Sequence, residues 1–101
     1  MKNYIAKSRY DVIELAEMIK SIAHPERLQI LNFMCNCGSD KLSVKNIYET
    51  LKMEQPIVSR HLGIMKRAGL LKKEVDGRST YYHLNLENPA CSYARECLLN
   101  N

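Results

Sequence analysis

The sequence lacks the features that would assign it to a membrane or secreted class. Its 101 residues contain no apolar run approaching the ~18 residues that a membrane-spanning helix needs. The first ten residues, MKNYIAKSRY, contain no apolar stretch like that of a signal peptide. We therefore expect a cytoplasmic protein.

Catalytic patterns are missing as well. We find no Ser-His-Asp combination, no pair of carboxylates at catalytic spacing and no phosphate-binding loop. Internal repeats, low-complexity tracts and linkers are also absent. The sequence therefore predicts one domain over residues 1–101, and one that is not an enzyme.

The positive charge is concentrated in one region. The net charge is +4. Residues 41–83 carry nine basic and four acidic side chains, whereas the rest of the chain carries six basic and seven acidic ones. A local excess of this kind is typical of a surface that binds phosphates. Scattered lysines on a solvated surface would be the simpler explanation of the charge alone.

Apolar periodicity and capping residues predict five helices. The first runs from Val12 to Ile22 after a capping box that starts at Asp11. The second begins at Pro25, with His24 as its cap, and ends near Cys35. Ser43 caps a short third helix, and the fifth follows Asn88. The first helix has a wide apolar stripe and the last lies outside the core, so we expect segments 11–23 and 88–99 to pack against a second copy.

The fourth helix begins at Gln55 and ends at Gly69. On a helical wheel, one side collects polar and basic residues and the other side collects apolar ones. Beyond it, residues 70–75 and 79–84 read as two strands joined by an Asp76-Gly77 turn. The pattern predicts a mainly α winged helix-turn-helix of order α-α-α-α-β-β-α, with the helix-turn-helix at about 43–68 and the wing at about 70–85.

This architecture predicts a DNA-binding transcription regulator that uses the fourth helix in the major groove. Gln suits adenine and Arg suits guanine there, so Gln55, Ser59 and Arg60 are candidate base readers. His61 lies in the middle of the apolar arc, which favours a hydrogen-bonded structural role over DNA contact. Lys41 is a further candidate for a phosphate contact. The other candidate DNA-binding residues are Lys45, Gln55, Pro56, Ser59, Arg60, His61, Lys66, Lys72 and Arg78.

Three segments resemble a known family. The runs SIAHPERLQIL (21–31), QPIVSRHL (55–62) and AGLL (68–71) are similar to those of the SmtB/ArsR family of bacterial winged-helix repressors, and the similarity covers residues 11–98. The resemblance implies a homodimer that binds an inverted repeat in operator DNA. It also implies that the first and last helices form the dimer interface, and that a metal ion, an arsenical or a thiol oxidant relieves repression.

The effector sites known in that family are not recognisable here. Members that sense arsenic or cadmium carry C-x-C before the recognition helix, where this chain has Ser43 and Lys45. Members that sense zinc or cobalt place Asp and His ligands on the last helix, and the last helix here contains no His. No metal is therefore expected at the family's usual positions, and no cofactor is required.

Four cysteines remain as candidate effector or redox residues, because disulfide frameworks are rare in the cytoplasm. Cys35 and Cys37, expected in an extended loop, could share one soft metal ion. Cys91 and Cys97 lie about 240° apart on the last helix, Cys97 on the apolar stripe and Cys91 at its edge. Some thiol-sensing family members pair a cysteine of the second helix with one of the last helix, the first of them at the position of Asn32. All four cysteines could instead be small packing residues.

Two other functions compete with DNA binding. A winged helix can serve as a protein-interaction module, but the recognition face would then be acidic or apolar rather than basic. A thiol-redox protein could use C-x-C, but catalytic dithiols favour a helix N-terminus, where the dipole lowers the thiol pKa. Cys35 and Cys37 lie at a helix C-terminus.

Overall fold

The computed structural model describes residues 9–99 as five helices around a small antiparallel sheet. The helices are α1 (Val12–Ile22), α2 (Pro25–Asn36), α3 (Val44–Leu51), α4 (Gln55–Arg67) and α5 (Pro89–Leu98), and the strands are β1 (Leu42–Ser43), β2 (Leu71–Asp76) and β3 (Ser79–Leu84). Residues 1–8, in which no signal peptide is predicted, lie outside the described range, as do residues 100 and 101. The predicted winged helix-turn-helix class is confirmed.

Four of the five helices, all except α4, begin with a side-chain cap. The Asp11 carboxylate accepts a hydrogen bond from the Glu14 amide at 2.7 Å, and Glu14 accepts one from the Asp11 amide. His24 Nδ1 accepts from the Glu26 amide at 3.1 Å. Asn88 accepts from the first amides of α5. These bonds satisfy backbone donors that a helix start leaves unpaired, and they therefore fix the helix boundaries.

The sheet has one strand that the sequence did not predict. Its order is β1-β3-β2, and β1 pairs with β3 through Leu42↔Tyr82 and Ser43↔Tyr81. Because β1 is two residues long, it has no periodicity to detect. Its pairing places the start of α3 beside the wing, which consists of β2, β3 and their turn.

The turn between α3 and α4 depends on a left-handed residue. Lys52 has φ +56°, the only positive φ among the described residues other than glycines. The Lys52 amide also donates to Tyr48 O and closes α3. This turn sets the angle between α3 and α4, the two helices of the helix-turn-helix.

One core joins all the elements, and α1 packs against it through the partly buried side chains of Met18 and Ile22. Ile30 of α2, Ile47 of α3 and Leu62 of α4 are fully buried. The buried apolar residues of this core are Ile30, Leu31, Met34, Leu42, Ile47, Val58, Leu62, Met65, Leu70, Leu71, Tyr82, Ala90, Cys91 and Ala94.

No helix among residues 9–99 is long and apolar enough to cross a membrane.

Candidate DNA-binding surface

Helix α4 has one buried side and one exposed polar side. Val58, Leu62 and Met65 are fully buried, so they fix the rotation of the helix about its axis. With that side in the core, Ser59 and Arg60 point to solvent. The predicted residues Gln55, Pro56, Ser59, Arg60 and Lys66 are all exposed.

Three of the predicted DNA-binding residues from separate elements line one cleft. Lys45 comes from α3, Gln55 from the first turn of α4, and Arg78 from the wing turn. Ser43 and Tyr81, which the β1–β3 pairing brings together, also line it. Two cations that line a cleft together with the first turn of the recognition helix can hold a phosphate backbone while a base edge meets α4.

The wing extends beyond the core. Within β2 only Leu71 is buried, and residues 72–76 are all exposed, including Lys72. Val75 leaves 66% of its surface exposed even though it is apolar. Gly77 supplies a φ of +64° at the turn, beside Arg78. The wing therefore presents its cations away from the body of the protein.

Lys41, predicted to contact a phosphate, is paired with an acidic side chain of the wing. Its Nζ lies 2.8 Å from Glu74 Oε2 and 4.6 Å from the centre of the Tyr81 ring. The hydrogen bond between the two side chains raises the pKa of Lys41 and lowers the pKa of Glu74. Glu74 thus balances, within the protein, the positive charge that Lys41 was expected to contribute.

His61 lies in the core, so its side chain is not presented to DNA. It is 2% exposed. Its Nε2 lies 2.9 Å from Glu26 Oε1, and its Nδ1 lies 3.2 Å from Arg27 Nη1. A guanidinium only donates, so Nδ1 must be the acceptor and Nε2–H the donor to Glu26. The assignment of His61 among the DNA-binding residues is corrected to the structural role that its place in the apolar arc favoured.

Sequence reasoning missed the partners of His61. They come from the HPER segment about 35 residues earlier, and only the packing of α2 on α4 brings the two together. The hydrogen bond from His61 lowers the pKa of Glu26, and the nearby charge of Arg60 acts in the same direction. The His24 ring lies 4.7 Å from the His61 ring. His24, Glu26 and His61 each place one atom suited to metal binding within 4.8 Å of the others.

Cys35 and Cys37 do not form the expected extended loop. Cys35 lies in the last turn of α2, and Cys37 is the helical C-cap residue. The two residues line different cavities, Cys35 with Arg95 and Cys37 with Phe33. The Cys37 sulfur also contacts the Met34 and Ser39 backbone. This arrangement does not favour one metal ion shared by the two thiolates.

The cysteines of α5 are placed opposite to the prediction. Cys91 is buried and Cys97 is exposed. Burial, with a smaller contribution from the nearby Cys35, raises the pKa of Cys91 to about 11. Burial also raises the pKa of Cys35, while the charge of Arg95 opposes that rise. The thiol of α2 that interacts with α5 is therefore Cys35, one turn after Asn32.

An apolar face of α1 is uncovered. Val12 is 83% exposed, Ile13 75% and Ile19 50%. On α5, Tyr93 is 67% exposed. Helices α1 and α5 also contact each other. Large apolar side chains gathered on one side are typical of an interface.

Comparison with known sequences agrees with the fold and its exposed recognition helix. A model of bacterial regulatory proteins of the arsR family matches residues 24–73. An uncharacterized HTH-type transcriptional regulator of Methanocaldococcus jannaschii is 38% identical over 69 residues, which are 68% of this chain and 75% of that protein. The transcriptional repressor PagR of Bacillus anthracis is 40% identical over 70 residues, 69% of this chain and 68% of PagR.

Solved structures show the same architecture. The crystal structure of PagR has a TM-score of 0.73 to this chain at 36% identity, covering 86% of this chain and 94% of PagR. The homodimeric winged helix-turn-helix domain of Mb0332 from Mycobacterium bovis has a TM-score of 0.68 over 86% of this chain and 73% of that one. At 24% identity, that second likeness shows the fold alone.

The fold and the basic recognition helix define the class as a winged helix-turn-helix transcriptional regulator. The identity and coverage of its relatives place it more narrowly: the chain belongs to the arsR family of bacterial regulatory proteins.

Proposed function

We propose that this protein is a homodimeric repressor that reads an inverted repeat in operator DNA. One observation carries the proposal: the core fixes α4 so that Gln55, Ser59 and Arg60 face solvent, beside a cleft that Lys45 and Arg78 also line. Gln and Arg match the hydrogen-bonding edges of adenine and guanine in the major groove. The flanking cations match the phosphates on either side. Such a protein would act in the cytoplasm and would have no enzymatic activity.

Repression is supported by relatives rather than by geometry. PagR is a transcriptional repressor, and so is the arsenical resistance operon repressor of Bacillus subtilis, which is 35% identical over 71 residues. A bound dimer can block transcription by occupying the promoter, which needs no catalytic group on the protein.

The test is to select duplexes from a random pool with the reduced protein and to measure the affinity for the selected and for an unselected sequence. We expect the selected duplex to contain two related half-sites and to bind at least about 10³-fold more tightly. A protein-interaction module without DNA binding would select no sequence. Weak binding that is equal for all duplexes would also reject sequence-specific repression.

Dimerisation is proposed to use the exposed apolar face of α1 together with α5. Burying an exposed side chain such as Ile13 stabilises association by about 1.5–3 kcal/mol relative to leaving it in water. The homodimeric Mb0332 domain, which has the same fold, is a precedent for this assembly. Both DNA-reading heads would then be fixed relative to each other.

Effector control is proposed to act through thiols that join α2 to α5. Cys35 is half-buried with Arg95 nearby, and the buried Cys91 lies close enough to interact with it electrostatically. The Cys35 thiolate attacks a small disulfide or polysulfide and releases one thiol. The Cys91 thiolate then displaces the second thiol and completes an internal disulfide, so that the oxidant accepts both electrons.

Such a bond would link the second helix to the helix at the proposed dimer interface, and a small rotation of the two heads would weaken operator binding. The test measures operator affinity before and after oxidation, with Cys35→Ser, Cys91→Ser and, as the control, Cys97→Ser. We expect oxidation to weaken binding in the wild type and the control only. Equal binding by all variants under both conditions would leave the cysteines as packing residues.

A further inference from the structure

A cluster of two imidazoles and one carboxylate lies where α2 begins against α4. His24 is the N-cap residue of α2, Glu26 lies in its first turn, and His61 comes from the middle of α4. One ligand-type atom from each lies within 4.8 Å of the other two. This spacing is short enough for the three atoms to surround one ion after small side-chain adjustments.

The chemistry of the cluster suits a borderline transition metal. Two imidazole nitrogens and one carboxylate oxygen are common ligands of Zn²⁺ and also bind Ni²⁺ and Co²⁺. The His61 ring is 2% exposed and therefore held in place, whereas the Glu26 side chain is 43% exposed and leaves a path from solvent. His24 uses Nδ1 for the helix cap, which leaves its Nε2 for an ion.

We propose that His24, Glu26 and His61 form a binding site for a divalent transition metal, of which Zn²⁺ is the best match. The site differs from the effector positions that the family resemblance implies, which are Ser43, Lys45 and the last helix. A water molecule would complete a four-coordinate shell.

Metal binding at His61 requires a change of tautomer. In the metal-free protein, Arg27 Nη1 donates to Nδ1 and the proton sits on Nε2, facing Glu26. A metal ion on Nε2 displaces that proton, and a neutral ring then carries it on Nδ1. Two donors cannot share a hydrogen bond, so the Arg27 contact is lost. Arg27 Nε donates to Ser21 O near the end of α1, which connects the site to the proposed dimer helix.

The proposal has a spectroscopic test on the full, reduced chain, first stripped with a chelator and then titrated with Co²⁺ alone. We expect one Co²⁺ per chain with visible d–d absorption and no sulfur-to-cobalt charge-transfer band, because none of the three ligands is a thiolate. Zn²⁺ should displace the Co²⁺. A charge-transfer band, or failure to bind Co²⁺ at micromolar concentration, would overturn the assignment.

Matched variants distinguish the loss of a metal ligand from a loss of folding stability. His24→Asn removes the imidazole but keeps a strong N-cap residue, and Glu26→Gln keeps an acceptor for His61 while it removes the charge. We expect each to weaken Co²⁺ binding by at least about tenfold with little change in thermal stability. Cys35→Ser, Cys37→Ser and Glu87→Gln are controls that should bind as the wild type does. Unchanged binding by both ligand variants would contradict the site.

The tautomer gives a second readout that needs no variant. Long-range ¹H–¹⁵N correlation spectra should show His61 protonated at Nε2 in the metal-free protein and at Nδ1 after Zn²⁺ is added. A His61 ring that stays protonated at Nε2 while one Zn²⁺ binds would place the ion elsewhere.

Discussion

Lys41 Nζ and Glu74 Oε2 lie 2.8 Å apart and join the segment before β1 to the wing. The pair neutralises one cation of a region otherwise rich in positive charge. Its side chains are 38% and 47% exposed, so solvent screens the interaction and its contribution to stability is small. We expect its consequence to be electrostatic instead, because Glu74 competes with a phosphate for Lys41.

Glu74→Gln should therefore strengthen DNA binding without regard to sequence. A freed Lys41 would add about one unit to the dependence of log affinity on log salt. The measurement is a salt series with specific and random duplexes. Adding Lys41→Met to Glu74→Gln should remove the gain, while Lys41→Met alone, which leaves the Glu74 carboxylate without its partner, should weaken binding to all sequences. A gain that survives the second substitution would show that Lys41 is not its source.

The recognition helix and the wing should give different mutational signatures. Arg60→Ala and Gln55→Ala should each cost about 1–3 kcal/mol at one operator base pair and relax the preference there. Lys72→Ala and Arg78→Ala should weaken binding to every sequence and lower the salt dependence by about one unit each. Competition with operator variants at two salt concentrations separates the two effects. If all four substitutions act independently of sequence, the division is wrong.

Ile19→Glu should dissociate the dimer without unfolding the protomer. Ile19 is half exposed, so a charge there costs little in the monomer but must lose water at an interface. We expect the dimer dissociation constant to rise by at least about tenfold, in line with the loss of one buried aliphatic side chain. Light scattering gives the mass and circular dichroism gives the helix content. Val75→Glu, at a still more exposed apolar residue of the wing, should leave the dimer intact.

Alkylation should distinguish the four thiols. Only a thiolate reacts, and at pH 8 a thiol with a pKa of about 11 is ionised to roughly one part in a thousand. Cys91 should therefore be the last to be modified, with a rate that rises about tenfold per pH unit up to about pH 11. The exposed Cys97 should react readily in the monomeric Ile19→Glu variant. Mass spectrometry of peptides at several pH values measures each site, and early labelling of Cys91 would contradict its burial.

The elements of the fold were predictable because their signals are local. Asp11, Pro25, Ser43 and Asn88 each mark a helix start, and the Asp76-Gly77 turn marks the hairpin. The two-residue strand β1 was not predictable, since it exists only through pairing with β3, about 39 residues later.

The candidate site likewise has residues that could be identified from the sequence and contacts that could not. The exposed side of α4 follows from its helical period, so Gln55, Ser59 and Arg60 could be identified from sequence. The partners of Lys41 and His61 depend on how distant segments pack, and no local pattern indicates them. Cys91 and Cys97 were misplaced because the wheel of a short helix gives its apolar direction only roughly, and Tyr93 drew the predicted stripe towards the exposed side.

The most direct measurement of the central claim, a dimer that reads two half-sites, varies the spacing between them. A rigid dimer fits half-sites one helical turn apart, about 10 base pairs from centre to centre. Inserting about five base pairs between the selected half-sites turns one of them to the opposite face of the duplex. We predict that affinity then falls to that of a single half-site, and that it recovers in part when about ten base pairs are inserted. Equal affinity at every spacing would contradict a dimer that holds two recognition helices in fixed register.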